Sequence, residues 1–276
     1  MRSSIGYWGL GLLVLLLQPL QAQRGWEAGA WGGTALYLGD LNTNFDLSMP
    51  GWFGGSMFRY NFNERIAMRL AANAGYIHAD DAISSNPFER ARNLSFQSNL
   101  FEGSAALEFN FLPYIHGSRD NFFTPYLLLG FNIVHFNPKA AYNGSLVELR
   151  PLGTEGQFKG EEYYTVTSGF LYGMGLKFDL SYRWSVNLEL SARGLSTDYL
   201  DDVSTVYPEK DDLLRNRGAM AVALADRSIS IDGVEGPIGS PGRQRGDARS
   251  NDSYVFLGIG FMYYFGDLRC PEYSKR

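Results

Sequence analysis

The sequence predicts an all-β chain, an eight-stranded antiparallel up-and-down transmembrane β-barrel with a packed polar interior. Residues 254–265, YVFLGIGFMYYF, place Val255, Leu257, Ile259, Phe261, Tyr263 and Phe265 at every second position. A strand has a side-chain period of two, so one face of this segment is wholly apolar. Its 12 residues suit a bilayer, which needs about 9–11 residues per strand, better than a soluble core, where strands run about 5–6. Composition agrees. Aromatic residues make up 15% of the chain and glycines number 32, yet mean hydropathy is slightly negative, as expected when one strand face meets lipid and the other is polar. The third observation is repetition, because seven further alternating segments precede the last one.

The first 22 residues read as a secretory signal peptide: Arg2, then a mostly apolar run over residues 5–17, then a cut after Ala22. The run is too short for a membrane helix, which needs about 20 apolar residues. Leu20, three residues before the cut, is larger than usual there. Residues 23–276 form one barrel domain in this reading. Without Arg2 the chain carries 23 basic and 29 acidic residues, a balance of −6, which argues against nucleic acid as a partner. Cys270 is the only cysteine; it brings no disulfide framework and no lipoprotein site at the signal.

The eight segments cover residues 26–39, 51–61, 64–79, 94–112, 122–136, 162–179, 183–195 and 253–266. In the third, Ile66, Met68, Leu70, Ala72, Ala74 and Tyr76 share one face, opposite Arg65, Arg69 and Asn73. The seventh sets Val186, Leu188 and Leu190 against Arg183, Asn187, Glu189 and Arg193. A basic side chain facing lipid at the midplane costs about 2–4 kcal/mol, so these arginines belong inside. The same phase puts Glu27, Arg59, Glu102, Glu108, Lys177 and Asp179 inside with them. Eight strands leave room for little beyond side chains. A salt-bridged lumen without an open pore is the expectation.

Short connections at 62–63, 113–121 and 180–182 alternate with long ones at 40–50, 80–93, 137–161 and 196–252. An outer-membrane barrel of a Gram-negative bacterium has short periplasmic turns and long extracellular loops, with both termini periplasmic here. The last connection is far beyond ordinary loop length. Within it, residues 210–226 carry a weak helical pattern, and the Gly- and Pro-rich stretch 233–247 is expected to be mobile. Trp26, Trp31, Tyr37, Trp52, Tyr60, Phe109, Phe111, Phe122, Phe123, Phe178, Tyr182 and Trp184 cluster near strand ends, as interfacial girdles do.

Chemistry has little support. His78, His116 and His135 lack neighbouring ligands at metal spacing, and no catalytic or nucleotide-binding motif is present. No cofactor is implied. A lipid-degrading barrel enzyme would need Ser beside His78 or His135. The acids Asp198, Asp201, Asp202, Asp211 and Asp212 are oxygen ligands calcium could use, but their spacing is not an EF-hand loop and solvated carboxylates are the simpler reading. Arg245, Gly246 and Asp247 spell RGD, which chance suffices to explain.

Three strings, ALYLGDLN at 35–42, STDYLDDVSTVY at 196–207 and QRGDARSNDSYVFLGIGFMYYF at 244–265, resemble the PorG-like outer-membrane β-barrel family of Bacteroidota. Tyr37, Gly39, Asp40, Asp198, Tyr199, Asp201 and Asp202 carry the resemblance. It implies a non-enzymatic anchor or assembly component of type IX protein secretion, partnered by outer-membrane lipid and a periplasmic ring-forming lipoprotein. The working face would then be periplasmic: Asn61, Asn63, Glu64, His116 and Arg119, with Asp267, Arg269 and Cys270 in the tail 267–276. The alternative is a surface-binding barrel whose long loops recognise a ligand or host molecule. A small pore fits less well with the internal charges.

Overall fold

The computed structural model describes residues 24–231 and 238–266. The signal segment, and Asp267, Arg269 and Cys270 of the tail, lie outside the described residues. The alternation noted above becomes strands β1 (Gly25–Leu38), β2 (Gly51–Asn61), β3 (Ile66–Asp80), β4 (Ser95–Asn110), β5 (Phe123–Tyr142), β6 (Ser145–Glu148), β7 (Val166–Asp179), β8 (Trp184–Leu195) and β9 (Ser253–Tyr264). Eight of them pair antiparallel in the order β4-β3-β2-β1-β9-β8-β7-β5, and β4 pairs with β5 to close the barrel. Closure removes the unpaired edges that an open sheet would expose. The short β6 stands outside the ring as a hairpin on an over-long β5, through Lys139↔Glu148 to Tyr142↔Ser145. The fifth stave is therefore longer than the segment 122–136 expected from the sequence.

Period two decides what faces where. Along β9, Leu257, Ile259 and Phe261 are exposed on the outer wall, while Tyr254, Phe256, Met262 and Tyr264 are buried inside. Gly258 in the same strand has a spatial reason: a Cβ there would stand 2.6 Å from Phe53 Cζ, and Phe53 stacks on Phe256 at 4.0 Å. The outer wall also carries Trp26, Trp52, Phe109, Phe111, Phe122, Tyr182 and Trp184, all exposed. Neighbouring rings touch, as in Trp26 with Tyr60 and Trp184 with Tyr263. Trp31 and Tyr37 do not join them. Both are odd-numbered residues of β1, in phase with Glu27, and both are buried in the interior.

The long connections gather at one end as a cap. Asn86 caps the short helix α1 (Pro87–Arg92), its side chain accepting from Phe88 N; with Pro87 at the first helical position and Glu89 bonded back to Asn86, this is a helix start readable in the sequence. The weak pattern over 210–226 resolves into α2 (Lys210–Arg217) and α3 (Ala219–Ala225). The stretch expected to be mobile departs from expectation where it is described, since Ile238 and Arg245 are buried. Leu41, Leu200, Val203, Leu213 and Leu224 from the cap form one apolar cluster with Trp31, Phe53 and Phe256 of the barrel. Cap and lumen share a core.

Candidate functional site

Inward-facing charges from six staves form a layered network along the lumen, with the Arg193–Glu102 pair as a separate layer. At the short-turn end, the connection between β4 and β5 tucks His116 into the barrel mouth, 3.1 Å from Glu27 Oε1 and 3.0 Å from Asp179 Oδ1. Asn61 donates to the same Glu27, and Tyr114 donates to Asp179. Burial alone would depress the imidazole pKa, but Glu27 and Asp179 outweigh it and raise it to about 9. One layer up, Glu108 holds Arg59 Nε at 2.8 Å, Lys177 Nζ at 2.7 Å and Arg69 Nη1 at 3.4 Å. Arg69 continues to Glu189, which also accepts from Tyr126 at 2.7 Å. Nearest the cap, Arg193 Nε pairs with Glu102 at 2.9 Å, and Tyr254 donates to that carboxylate. Every one of these charges is buried and partnered, which removing water from the lumen demands.

Nine of the eleven charges expected inside are in this network. Arg65 and Arg183 are not: both lie in turns just before their strands begin and are exposed. Arg65 donates to the Phe111 carbonyl instead. Period two placed them inside, but the phase means nothing before the strand starts. On the expected partner face, Asn61 and His116 are spent within the mouth. Asn63, Glu64 and Arg119 remain partly exposed on the short-turn end.

At the other end, the two acidic strings come together across more than 160 residues of chain. The Tyr37 hydroxyl lies 2.6 Å from Asp201 Oδ2 and 2.9 Å from Asp252 Oδ1. A Cβ on Gly39 would overlap both Asp252 Oδ1 and that hydroxyl, so glycine is required for the approach. Leu200 N donates to Asp252 Oδ2 and Val203 N to Asp201 Oδ1. Asp202, at φ 70°, accepts from Thr154 and Tyr163, and Tyr163 stacks on Tyr199 at 4.8 Å. Burial lifts Asp40 and Asp202 to about 6 and Asp198 to about 7. Asp201 and Asp252 rise well above the ordinary range, through burial and their mutual repulsion for Asp201 and mainly through burial for Asp252.

The RGD tripeptide is not displayed. Arg245 is buried against Glu155 at 3.0 Å, and Asp247 N donates to Asp40 Oδ1 at 2.8 Å. Asp211 and Asp212 stay apart from the other acids, exposed on α2. Sequence reasoning missed Arg92, which clamps Asp81 and donates to the carbonyls of Asp40 and Arg245; no local signal marks it. Asp252 was more accessible, standing just before the closing strand. His78 stacks on Tyr76, its Nδ1 without a hydrogen-bond partner, and His135 neighbours Phe101. Neither hydrogen-bonds a serine among the described residues.

A family model described as a domain of unknown function, DUF6089, matches residues 9–216. No curated protein matches the sequence. Among solved structures, the chain is similar to neisserial surface protein A (10% identity, TM-score 0.44, covering 87% of this chain and 97% of that one). It is likewise similar to the outer membrane protein OprG from Pseudomonas aeruginosa (14%, 0.39, 90% and 100%). A third similar structure is Ail, the attachment invasion locus protein of Yersinia pestis, in complex with the heparin analogue sucrose octasulfate (9%, 0.38, 89% and 100%).

Proposed function

This chain belongs to the DUF6089 family, and on that premise we propose that it is a non-enzymatic, non-conducting barrel of a Gram-negative outer membrane that anchors or helps assemble the type IX secretion machinery. The observation that carries the reading is the filled lumen. Buried ion pairs occupy it from His116 to Arg193, so the barrel works through its ends. An apolar outer wall with aromatic rings at its rim supports residence in a bilayer. The three strings that resemble PorG-like barrels support the choice of machinery, with a periplasmic ring-forming lipoprotein as partner. Asn63, Glu64 and Arg119 supply the periplasmic face.

Deletion of the gene followed by analysis of secreted proteins tests it: type IX substrates should be retained, and normal export would sink the proposal. One observation favours the second reading, a surface-binding barrel. The cap holds a 690 Å³ pocket between residues 155–159 and α2, lined by Phe158, Lys159, Asp212 and Arg217 among others. Protease shaving of intact cells separates the two, since cap cleavage would abolish surface binding yet spare an anchor's secretion activity.

A further inference from the structure

A single hydroxyl hydrogen stands between two buried carboxylates at the seam of the barrel. Tyr37 near the end of β1 pairs with Tyr254 at the start of β9, and Asp252 is the residue just before β9. Asp201 reaches the same point from the connection after β8. Tyr37, Asp201 and Asp252 are each 2% exposed or less. Among the described residues no ion pair reaches either carboxylate: Arg92 and Arg245, the buried cations of the cap, hold Asp81 and Glu155 with Asp202 instead.

Leu200 N serves Asp252 Oδ2 at 2.8 Å, and Val203 N serves Asp201 Oδ1 at 2.9 Å. The two other oxygens, Asp252 Oδ1 and Asp201 Oδ2, both face the Tyr37 hydroxyl, at 2.9 and 2.6 Å. A hydroxyl has one hydrogen and two lone pairs, so it donates to one carboxylate and must accept from the other. If both were ionised, one buried oxygen would face a lone pair with no cation to offset it, which burial penalises. One added proton completes the set. The shorter contact is that of a hydroxyl on an ionised carboxylate; it lies at Asp201, which leaves the proton on Asp252.

We propose that Asp252 keeps a proton at neutral pH, donating it to Tyr37 while Tyr37 donates to Asp201, and that this proton latches the connection 196–252 to the seam between β1 and β9; its loss at alkaline pH releases the cap. Facing the pair are Asp40 after β1, Asp198 in the same connection, Tyr163 before β7 and Arg92 of α1. Arg92 spends its hydrogens on Asp81 and on the carbonyls of Asp40 and Arg245. Burial foremost, with the like charges adding to it, holds both carboxyls of the pair well above the ordinary range. The folded cap therefore binds a proton that an opened cap, with ordinary carboxyls, releases, so opening is favoured as pH rises.

The test uses residues 23–276 refolded in a detergent without ester groups. Asp40, Asp202 and Asp198 titrate at about 6 to 7, so infrared spectra at about pH 8 should show the carbonyl band of the protonated pair. Asp252→Asn, whose amide takes over the donation to Tyr37, should lose the band, and so should Asp201→Asn; D40N/D198N should keep it. Cap opening, read as proteolysis within residues 196–252 relative to an unfolded reference, should rise about tenfold per pH unit between about pH 7.5 and 9 in the wild type and stay flat in D252N. Absence of the band in the wild type, a band that D252N or D201N retains or that D40N/D198N loses, or equal pH slopes in the wild type and D252N would overturn the proposal.

Discussion

Glu108→Gln is the sharpest probe of the packed lumen. Glu108 is 1% exposed and faces Arg59, Lys177 and Arg69. After the substitution Arg59 keeps Glu27 and Arg69 keeps Glu189, but Lys177 keeps only Asn110 Oδ1, at 3.0 Å. An uncompensated buried charge costs about 3–5 kcal/mol. With a urea slope of about 3 kcal/mol per molar, the unfolding midpoint should fall by about 1–1.7 M, read from tryptophan fluorescence in detergent. Adding Lys177→Met removes the orphaned charge, so the double variant should recover most of the loss. A single variant within about 1 kcal/mol of the wild type, or a double variant no better than the single, would refute the reasoning.

Leu129→Arg, on the outer wall midway along the part of β5 that pairs with β7 and 57% exposed, should destabilise the barrel in vesicles by about 2–4 kcal/mol, whereas Trp26→Arg at the rim should cost about 0–1 kcal/mol; equal costs would argue against a spanning orientation. Arg245→Ala leaves Glu155 and Asp202 without their cation and should open the cap, seen as rapid proteolysis within residues 196–252 while the barrel resists. The pH profile of cap stability has a definite sign. Asp40 and Asp202 titrate near 6 and Asp198 near 7 in the fold, against 3.8 ordinarily, so between those values the folded cap binds more protons than the unfolded chain. Cap stability should be greatest at and below about pH 4 and fall as pH rises through 6–7, with Asp202 alone costing about 3 kcal/mol at pH 8. Urea unfolding at several pH values checks it, and a rising profile would contradict the assignment.

The sequence by itself determined the barrel, its eight staves and nine of its eleven inward charges. Each follows from period two: a lysine or glutamate in phase with apolar neighbours on the opposite face has one place to go. It also marked Tyr37, Asp40, Asp198, Asp201 and Asp202 as unusual. What it could not supply was their meeting. Tyr37 and Asp201 stand 164 positions apart, and no local rule sets the path of a 57-residue connection. Only closure of β9 onto β1 brings Asp252 to Tyr37 and folds the last long loop over the mouth, where Arg92 and Arg245 bind parts of the cap remote in sequence. Alternation is local and survives in the string of letters; charge balance belongs to the volume the chain encloses. The tertiary structure alone shows that the lumen is neutralised and that, among the described residues, no ion pair reaches Asp40, Asp198, Asp201 or Asp252 in the cap.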